Sequence, residues 1–525
     1  MNIRRFDPIS GSTEGMYTLQ QLRPDTGDLA LSWDGEQQAL LYASQGRLYQ
    51  RKADGQERLC AYLPQSDYPW GNGDRLVALP GVLCGVLMQG AALVVPSLPL
   101  AQDGARLKLY GWILEPDTHQ RALRLMPQLR VETMDVDGQD AVRLGELLSR
   151  SAADIDLLFL ASDWHEVKRL VDKGFCLDMS GSAAIREHLD ACYPLLQDEA
   201  RRGEGIYLLP VYVDADIYDM APSQFEQLGL KPPRSFADPC ELAQAWQGPR
   251  ADELDDWLLF GGSSAYGALI DEALMLNFAA QRYAGEPLRY DTPQLRHMLR
   301  MTEDLRGSAQ GQGEAWREKS ALLQSSNYRP SNFTGQRQEE PSIDRRPLIL
   351  SIDAKTAPVL PVKAGYLAIH ARSAQPQAAL RYVENYLASL DEETRLMLRT
   401  DMDEPLENKG SRVGSEQWRA KAEALRAQLA AAPEAERSGI QAQLRDAEEN
   451  EASFTRSMYR VAPQDLADYR GLMQRAIIAD RMFNASLYAP ELLSLARRYA
   501  QGGMNLDSFL RESDARLRLM QLEDE

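Results

Sequence analysis

The sequence is poor in the residues that carry metal or nucleophile chemistry. It has five cysteines and five histidines in 525 residues. Cys60, Cys84, Cys176, Cys192 and Cys240 are scattered, and no CxxC or Cys/His spacing points to zinc. They read as buried free thiols, which fits a cytosolic protein or a cell living with little oxygen. His119, His165, His188, His297 and His370 lie far apart, with no HxxxH or HExxH spacing, and read as ordinary surface or partly buried histidines. There is no GxSxG nucleophile elbow, and Gly261-Gly262-Ser263-Ser264 lacks the downstream lysine a phosphate loop needs. The expectation is a chain that is not an enzyme and holds no metal or cofactor.

Basic charge is also short. Lys and Arg number 58 against 77 Asp and Glu, a net charge of −19. Nucleic-acid binding needs clustered cations on phosphates, so that class of partner is excluded. The one long uncharged run, Leu76 to Gln102, is broken by Pro80, Gly81, Gly85, Gly90, Pro96 and Pro99. It is expected to form two strands around a turn at Gln89-Gly90 rather than a membrane span. Met1 to Arg5 runs into polar sequence, without the apolar core of a signal peptide.

What is present is a globular composition, 44% hydrophobic and 26% charged, in a chain long enough for two or three domains. Residues 1–103 read as a β-meander. Leu29–Trp33, Ala39–Tyr42, Arg47–Gln50 and Leu59–Tyr62 are short apolar runs, with turn signals at Asp34-Gly35, Gln45-Gly46 and Asp54-Gly55. Ser32-Trp33-Asp34 gives it a faint propeller-like cast, with too few strands to close a propeller.

From residue 104 the pattern alternates. Strands are expected at Leu107–Trp112, Val131–Asp135 and Asp156–Leu160, with helices at Ala122–Met126, Ala141–Ser149 and from Val167 to a stop at Gly174. That order implies an α/β fold with a parallel sheet covered by helices. Tyr207–Val211 is the next apolar strand. Residues 306–346 read as loop-rich, and Asp465–Leu522 as helical throughout. Ser373 is placed to cap a helix whose apolar face holds Ala379, Tyr382, Val383 and Tyr386. Residues 415–454 carry narrow apolar seams, at Trp418, Ala422, Leu425 and Leu429 and again at Ile440, Leu444 and Ala447, interrupted by Ala432-Pro433. They predict a helical hairpin with a charged outer face that projects from the second half of the molecule. Asn505 is placed to cap the last helix.

Several segments occur in a telling order: LVDKGFCLDM at 170–179, GEGIYLLPV at 203–211, Phe225–Leu230 before Pro232-Pro233-Arg234-Ser235-Phe236, GYLAI at 365–369 before Ser373–Val383, and GGMNLDSFL at 502–510. Over residues 106–522 this resembles the carbohydrate-type extracellular solute-binding proteins of ABC transporters, family 1. Phe236 stands where that family usually has Trp, and Ala237-Asp238 weakens the acidic motif that follows. The resemblance implies a two-lobed periplasmic-binding-protein-like fold with a hinge, over residues 104–525, with lobe crossovers near 211–216 and 354–365. The β-module and the helical hairpin are additions to it. It further implies an extracellular, cell-surface lipoprotein whose secretion signal and lipid anchor lie upstream, a monomer that binds a mono- or oligosaccharide and hands it to an ABC permease for sugar transport. The other reading is a surface binding or sensing module that recognises a ligand or partner without transport.

A sugar site needs aromatic faces for the C–H faces of pyranose rings and carboxylates for hydroxyls. Ligands in α/β folds gather at the carboxyl ends of strands. The candidates are therefore Trp112 after the first strand, Asp163 and Trp164 after the third, Tyr212 and Asp214 at the first crossover, Trp257 and Tyr266 around a glycine turn, and Tyr366 at the return crossover. Asp163 is also placed to cap the helix that follows it, and Trp257 to pack in a core.

Overall fold

The computed structural model describes residues 105–524 apart from 112–114, 127–128, 135–143, 150–154, 246–256, 262–264, 307–319 and 341–342. Before residue 105 it describes nine strands. Four of them, Ala30–Asp34, Ala39–Ser44, Arg47–Lys52 and Glu57–Tyr62, form an antiparallel meander in chain order. Cys84–Met88 and Ala91–Val95 pair antiparallel, as two strands and not a membrane helix. Among the described residues no helix is long and apolar enough to cross a membrane.

The rest of the chain builds two α/β lobes. The first sheet runs Arg130–Met134, Arg106–Tyr110, Leu157–Ala161, Leu360–Ile369, Leu209–Asp214, with Ala476–Ile478 alongside the start of Leu360–Ile369. The first three strands are parallel. Leu157–Leu160 is fully buried, as a continuous apolar run in a sheet covered on both faces should be. The helix after it ends at Asp172, with Gly174 at φ 72°. Tyr382, Val383 and Tyr386 pack one face of the helix Pro376–Ala388 onto this core.

Leu360–Ile369 runs antiparallel to Leu157–Ala161 and Leu209–Asp214, and parallel to the short Ala476–Ile478. It enters from the junction between lobes, where Leu157–Ala161 and Leu209–Asp214 end, so its direction is opposite to theirs. The chain leaves the first sheet at Asp214 and joins the second at Asp216. The second sheet runs Trp257–Phe260, Ser320–Asn327, Asp216–Met220, Arg346–Leu348. Only its first pair is parallel. The sequence pattern points to a parallel sheet; strands that arrive directly across the junction, without a helical crossover, pair antiparallel instead. The return is equally abrupt: Val359 belongs to the second core and Leu360 to the first.

Other expectations are corrected. Within 306–346 lie the strand Ser320–Asn327 and the helix Pro330–Glu339, whose Phe333 and Thr334 are buried while most of its polar surface hides any apolar period. The C-terminal stretch is not helical throughout, because Ala476–Ile478 pairs with Leu360–Val362. Ser373 does not cap its helix. Pro376 at the first helical turn makes Gln375 the cap residue, and Ser373 Oγ instead donates to Asp156 and accepts from the Gln375 amide. Four of the five histidines, His119, His165, His188 and His370, are buried rather than at the surface. Burial holds His165 and His188 down to about 4, so both are neutral at pH 7. Cys176, Cys192 and Cys240 are buried free thiols. Asn505 does cap the last helix, accepting from the Ser508 amide at 2.8 Å.

The helical hairpin consists of Lys409–Ala431 and Glu434–Arg456. Its apolar seam buries Ala422, Leu425 and Ala447, flanked by Trp418, Ile440 and Leu444. Leu406 and Val461, which pair at its base, belong to the first core. The hairpin thus springs from the first lobe.

Candidate ligand-binding site

The strand Leu157–Ala161 ends at a turn over Ser162–Trp164, and this turn bonds to the return strand and to the segment that follows Ala476–Ile478. Ser162 Oγ donates to the Ala479 carbonyl at 2.9 Å and accepts from the Ala364 amide at 3.0 Å. Asn484 Nδ2 donates to the Asp163 carbonyl at 3.0 Å. Asp163 is buried, whereas Trp164 beside it is 46% exposed. Asp163 does not cap the next helix: Glu166 holds that position and makes no side-chain cap.

Asp163 faces a charged group shared by both lobes. Lys363 Nζ binds Asp216 at 2.7 Å. Asp214, buried, accepts from Asn327 Nδ2 at 3.1 Å. Burial raises the carboxyls of Asp163 and Asp214 above their ordinary value, Lys363 opposes this, and the neighbouring aspartates reinforce it. Tyr212 is half-buried two residues before Asp214, with the Arg329 guanidinium 5.7 Å from its ring centre. Arg329 in turn binds Glu115 at 2.6 Å.

On the second-lobe side of Asp216 lies a cavity of about 230 Å³. Its walls include Asp216, Tyr218, Phe260, Asp271, Glu272 and Tyr488. Two sequence features place them. Along the crossover, Tyr212, Asp214, Asp216 and Tyr218 alternate with apolar residues at the strand period. On the helix Ala265–Tyr283, Ala268, Glu272, Met275 and Ala279 fall at helical spacing and present one face to the cavity. Tyr218 donates its hydroxyl to Glu272 at 3.0 Å. Burial pushes Glu272 up to about 7, with Tyr218 opposing and Asp271 reinforcing the rise. Tyr488, 51% exposed at the end of Arg481–Tyr488, supplies an aromatic face.

Of the candidates named from sequence, Asp163, Tyr212 and Asp214 come together at the junction, and Trp164 stands at its edge. Trp112 lies outside the described residues. Trp257 sits half-buried against the second core, on the edge strand of the second sheet. Tyr266 is buried at the start of its helix, accepting from Arg306 Nε at 3.3 Å. Tyr366 is fully buried in the first core, because Gly365-Tyr366 lies inside the central strand and not in a loop. Sequence reasoning missed Asp216, Tyr218, Lys363, Asp271, Glu272 and Tyr488. The period-two alternation past Asp214 was a legible signal for the first two. The adjacent Asp271-Glu272 between the apolar runs Ala268–Ile270 and Ala273–Leu276 was one for the acidic pair.

No family model matches the sequence, and no curated protein does. Solved structures match over most of the chain. Maltose-bound MalE3 of T. maritima is 13% identical, with a TM-score of 0.50, over 79% of this chain and 100% of that one. The galacto-N-biose/lacto-N-biose I-binding protein of an ABC transporter from Bifidobacterium longum is 12% identical over 80% and 98%, TM-score 0.49. RafE of Streptococcus pneumoniae is 13% identical over 79% and 97%, TM-score 0.45. At such identities the likeness is one of fold, and the MalE3 match carries it: the chain shares the two-lobed fold of MalE3.

Proposed function

We propose, from the fold it shares with MalE3, that this chain binds a carbohydrate between its lobes and delivers it to an ABC importer permease. On this reading residues 1–103 are a β-module, residues 104–525 the bilobal binding domain, and 415–454 an inserted hairpin. The segments at 214–216, 359–360 and 478–479 form the hinge about which the lobes close on the ligand. The protein works outside the membrane as a lipid-anchored monomer, as its resemblance to that class implies.

The observation that carries the reading is the junction itself. A cavity bounded by Tyr218, Phe260 and Tyr488 is walled at the junction by Asp216, whose partner Lys363 lies close to the buried carboxyls of Asp163 and Asp214. Aromatic faces suit the C–H faces of a sugar ring, and carboxylates hold its hydroxyls through charge-assisted hydrogen bonds. MalE3 is a maltose-bound structure of the same fold. The proposed site is Asp163, Trp164, Tyr212, Asp214, Asp216, Tyr218, Glu272 and Tyr488.

The test is a thermal-shift screen over mono- and oligosaccharides, followed by titration calorimetry of the hits. A ligand that binds only the native state raises the melting temperature, by an amount set by its concentration over Kd. Saturable binding that weakens on Tyr488→Ala is the expected result. A screen with no shift for any saccharide would remove the reading.

A further inference from the structure

We propose that the junction cavity selects an aminated saccharide, whose ammonium group sits between Asp271 and Glu272, over neutral and acidic ones. The inference rests on the carbohydrate reading above and names the substrate class of that site. It begins from the cavity and not from the carboxylates alone. The walls combine the rings of Tyr218, Phe260 and Tyr488 with Asp216, Asp271 and Glu272. None of the described wall residues is Lys, Arg or His. The nearby ammonium of Lys363 is bound to Asp216 at 2.7 Å. The remaining two carboxyls of the wall, adjacent on one helix, have no lysine or arginine paired with them among the described ion pairs.

A neutral sugar would desolvate those carboxyls and return only hydroxyl hydrogen bonds. An acidic sugar would add like charge in a partly water-excluded space, which is unfavourable. An ammonium group instead supplies three donors and the missing positive charge, and aromatic rings attract it further. Specificity arises as much from what the site repels as from what it holds.

The arrangement also yields a signature besides affinity. Glu272 is faced by Tyr218 from the crossover strand, Tyr488 from the helix Arg481–Tyr488, Asp271 on its own helix, and Asp216 with Lys363 at the junction. Burial raises its carboxyl to about 7, with the hydrogen bond from Tyr218 opposing the rise and Asp271 adding to it. A bound ammonium stabilises the ionised form, so binding at pH 7 releases part of a proton, about half, from Glu272.

The experiment titrates the full chain with the 1,4-linked disaccharide of glucosamine, with cellobiose, and with glucuronate. Calorimetry at pH 7 in two buffers of different ionisation heat counts protons. The expected result is at least tenfold tighter binding of the glucosamine disaccharide than of cellobiose, no binding of glucuronate, and proton release. In Glu272→Gln the preference should fall below threefold and the proton release should vanish, with an unchanged circular dichroism spectrum. Cellobiose binding as well as the amine, or a preference untouched by Glu272→Gln, overturns this inference and leaves the carbohydrate reading standing. Absence of binding by every saccharide overturns both.

Discussion

The Tyr218 hydroxyl donates to the Glu272 carboxyl at 3.0 Å, joining the crossover strand to a helix 54 residues later. The pair closes one wall of the junction cavity. Burial raises Glu272 from an ordinary 4.5 to about 7, so the folded protein holds a proton there that the unfolded chain has lost. Its contribution is therefore full at low pH and is lost as pH rises from about 4.5 through 7. Glu272→Gln keeps an acceptor for Tyr218 and cannot ionise. The variant should gain in melting temperature relative to the parent between pH 5 and pH 8. A constant difference across that range would show that Glu272 does not titrate there.

Ser162 makes the opposite kind of contact, a hydroxyl fully used by backbone. Ser162→Ala removes the donor to the Ala479 carbonyl and the acceptor for the Ala364 amide, both at a buried site. Leaving buried backbone groups unpaired costs about 1–3 kcal/mol. Chemical denaturation should show a loss of that size. Hydrogen exchange should speed up at Ala364 and not at Leu158.

Gly111 follows the first strand of the first lobe at φ 103°. A Cβ there would meet the Phe159 carbonyl oxygen at 2.2 Å, which is backbone and cannot move aside. Gly111→Ala should destabilise by roughly 2–5 kcal/mol, from the left-handed backbone and the overlap together. A melting curve matching the parent would contradict this.

The hairpin stands on a narrow seam, and Gly414 lets the Phe454 ring close its base, since a Cβ would lie 2.6 Å from that ring. Leu406 and Val461 pair below it, so a short loop can replace the residues from Glu416 to Phe454. The shortened protein should fold and bind saccharide within about tenfold of the parent, roughly 1.4 kcal/mol. Loss of all binding would place the hairpin in the cleft.

Trp164 and Asp163 separate packing from recognition. Trp164→Ala removes an exposed ring and leaves no core cavity, so saccharide affinity should fall by about 1–3 kcal/mol with the melting temperature of the free protein held. Asp163→Asn keeps the shape and removes the charge, and should weaken binding in the same way. Reduced stability with unaltered affinity in both variants would return them to structural roles.

The sequence by itself determined the local elements and their order. Leu157–Leu160 is apolar at every position because both sheet faces are covered, and no other element accommodates so short a run so well. The alternating β-meander before residue 104, the self-contained seam of the hairpin and the capping Asn505 are likewise set by neighbours within a few residues. Tertiary structure alone decided where the chain changes lobes and which polar groups meet. Tyr366 reads as a ligand candidate at the return crossover, yet long-range pairing on both sides puts Gly365-Tyr366 at the centre of a sheet. Lys363 and Asp216 are 147 positions apart, and only the return of the chain through the junction brings them to 2.7 Å. Local propensity has a range of a few residues. The cavity is made by segments hundreds of residues apart, so its charge and shape belong to the fold.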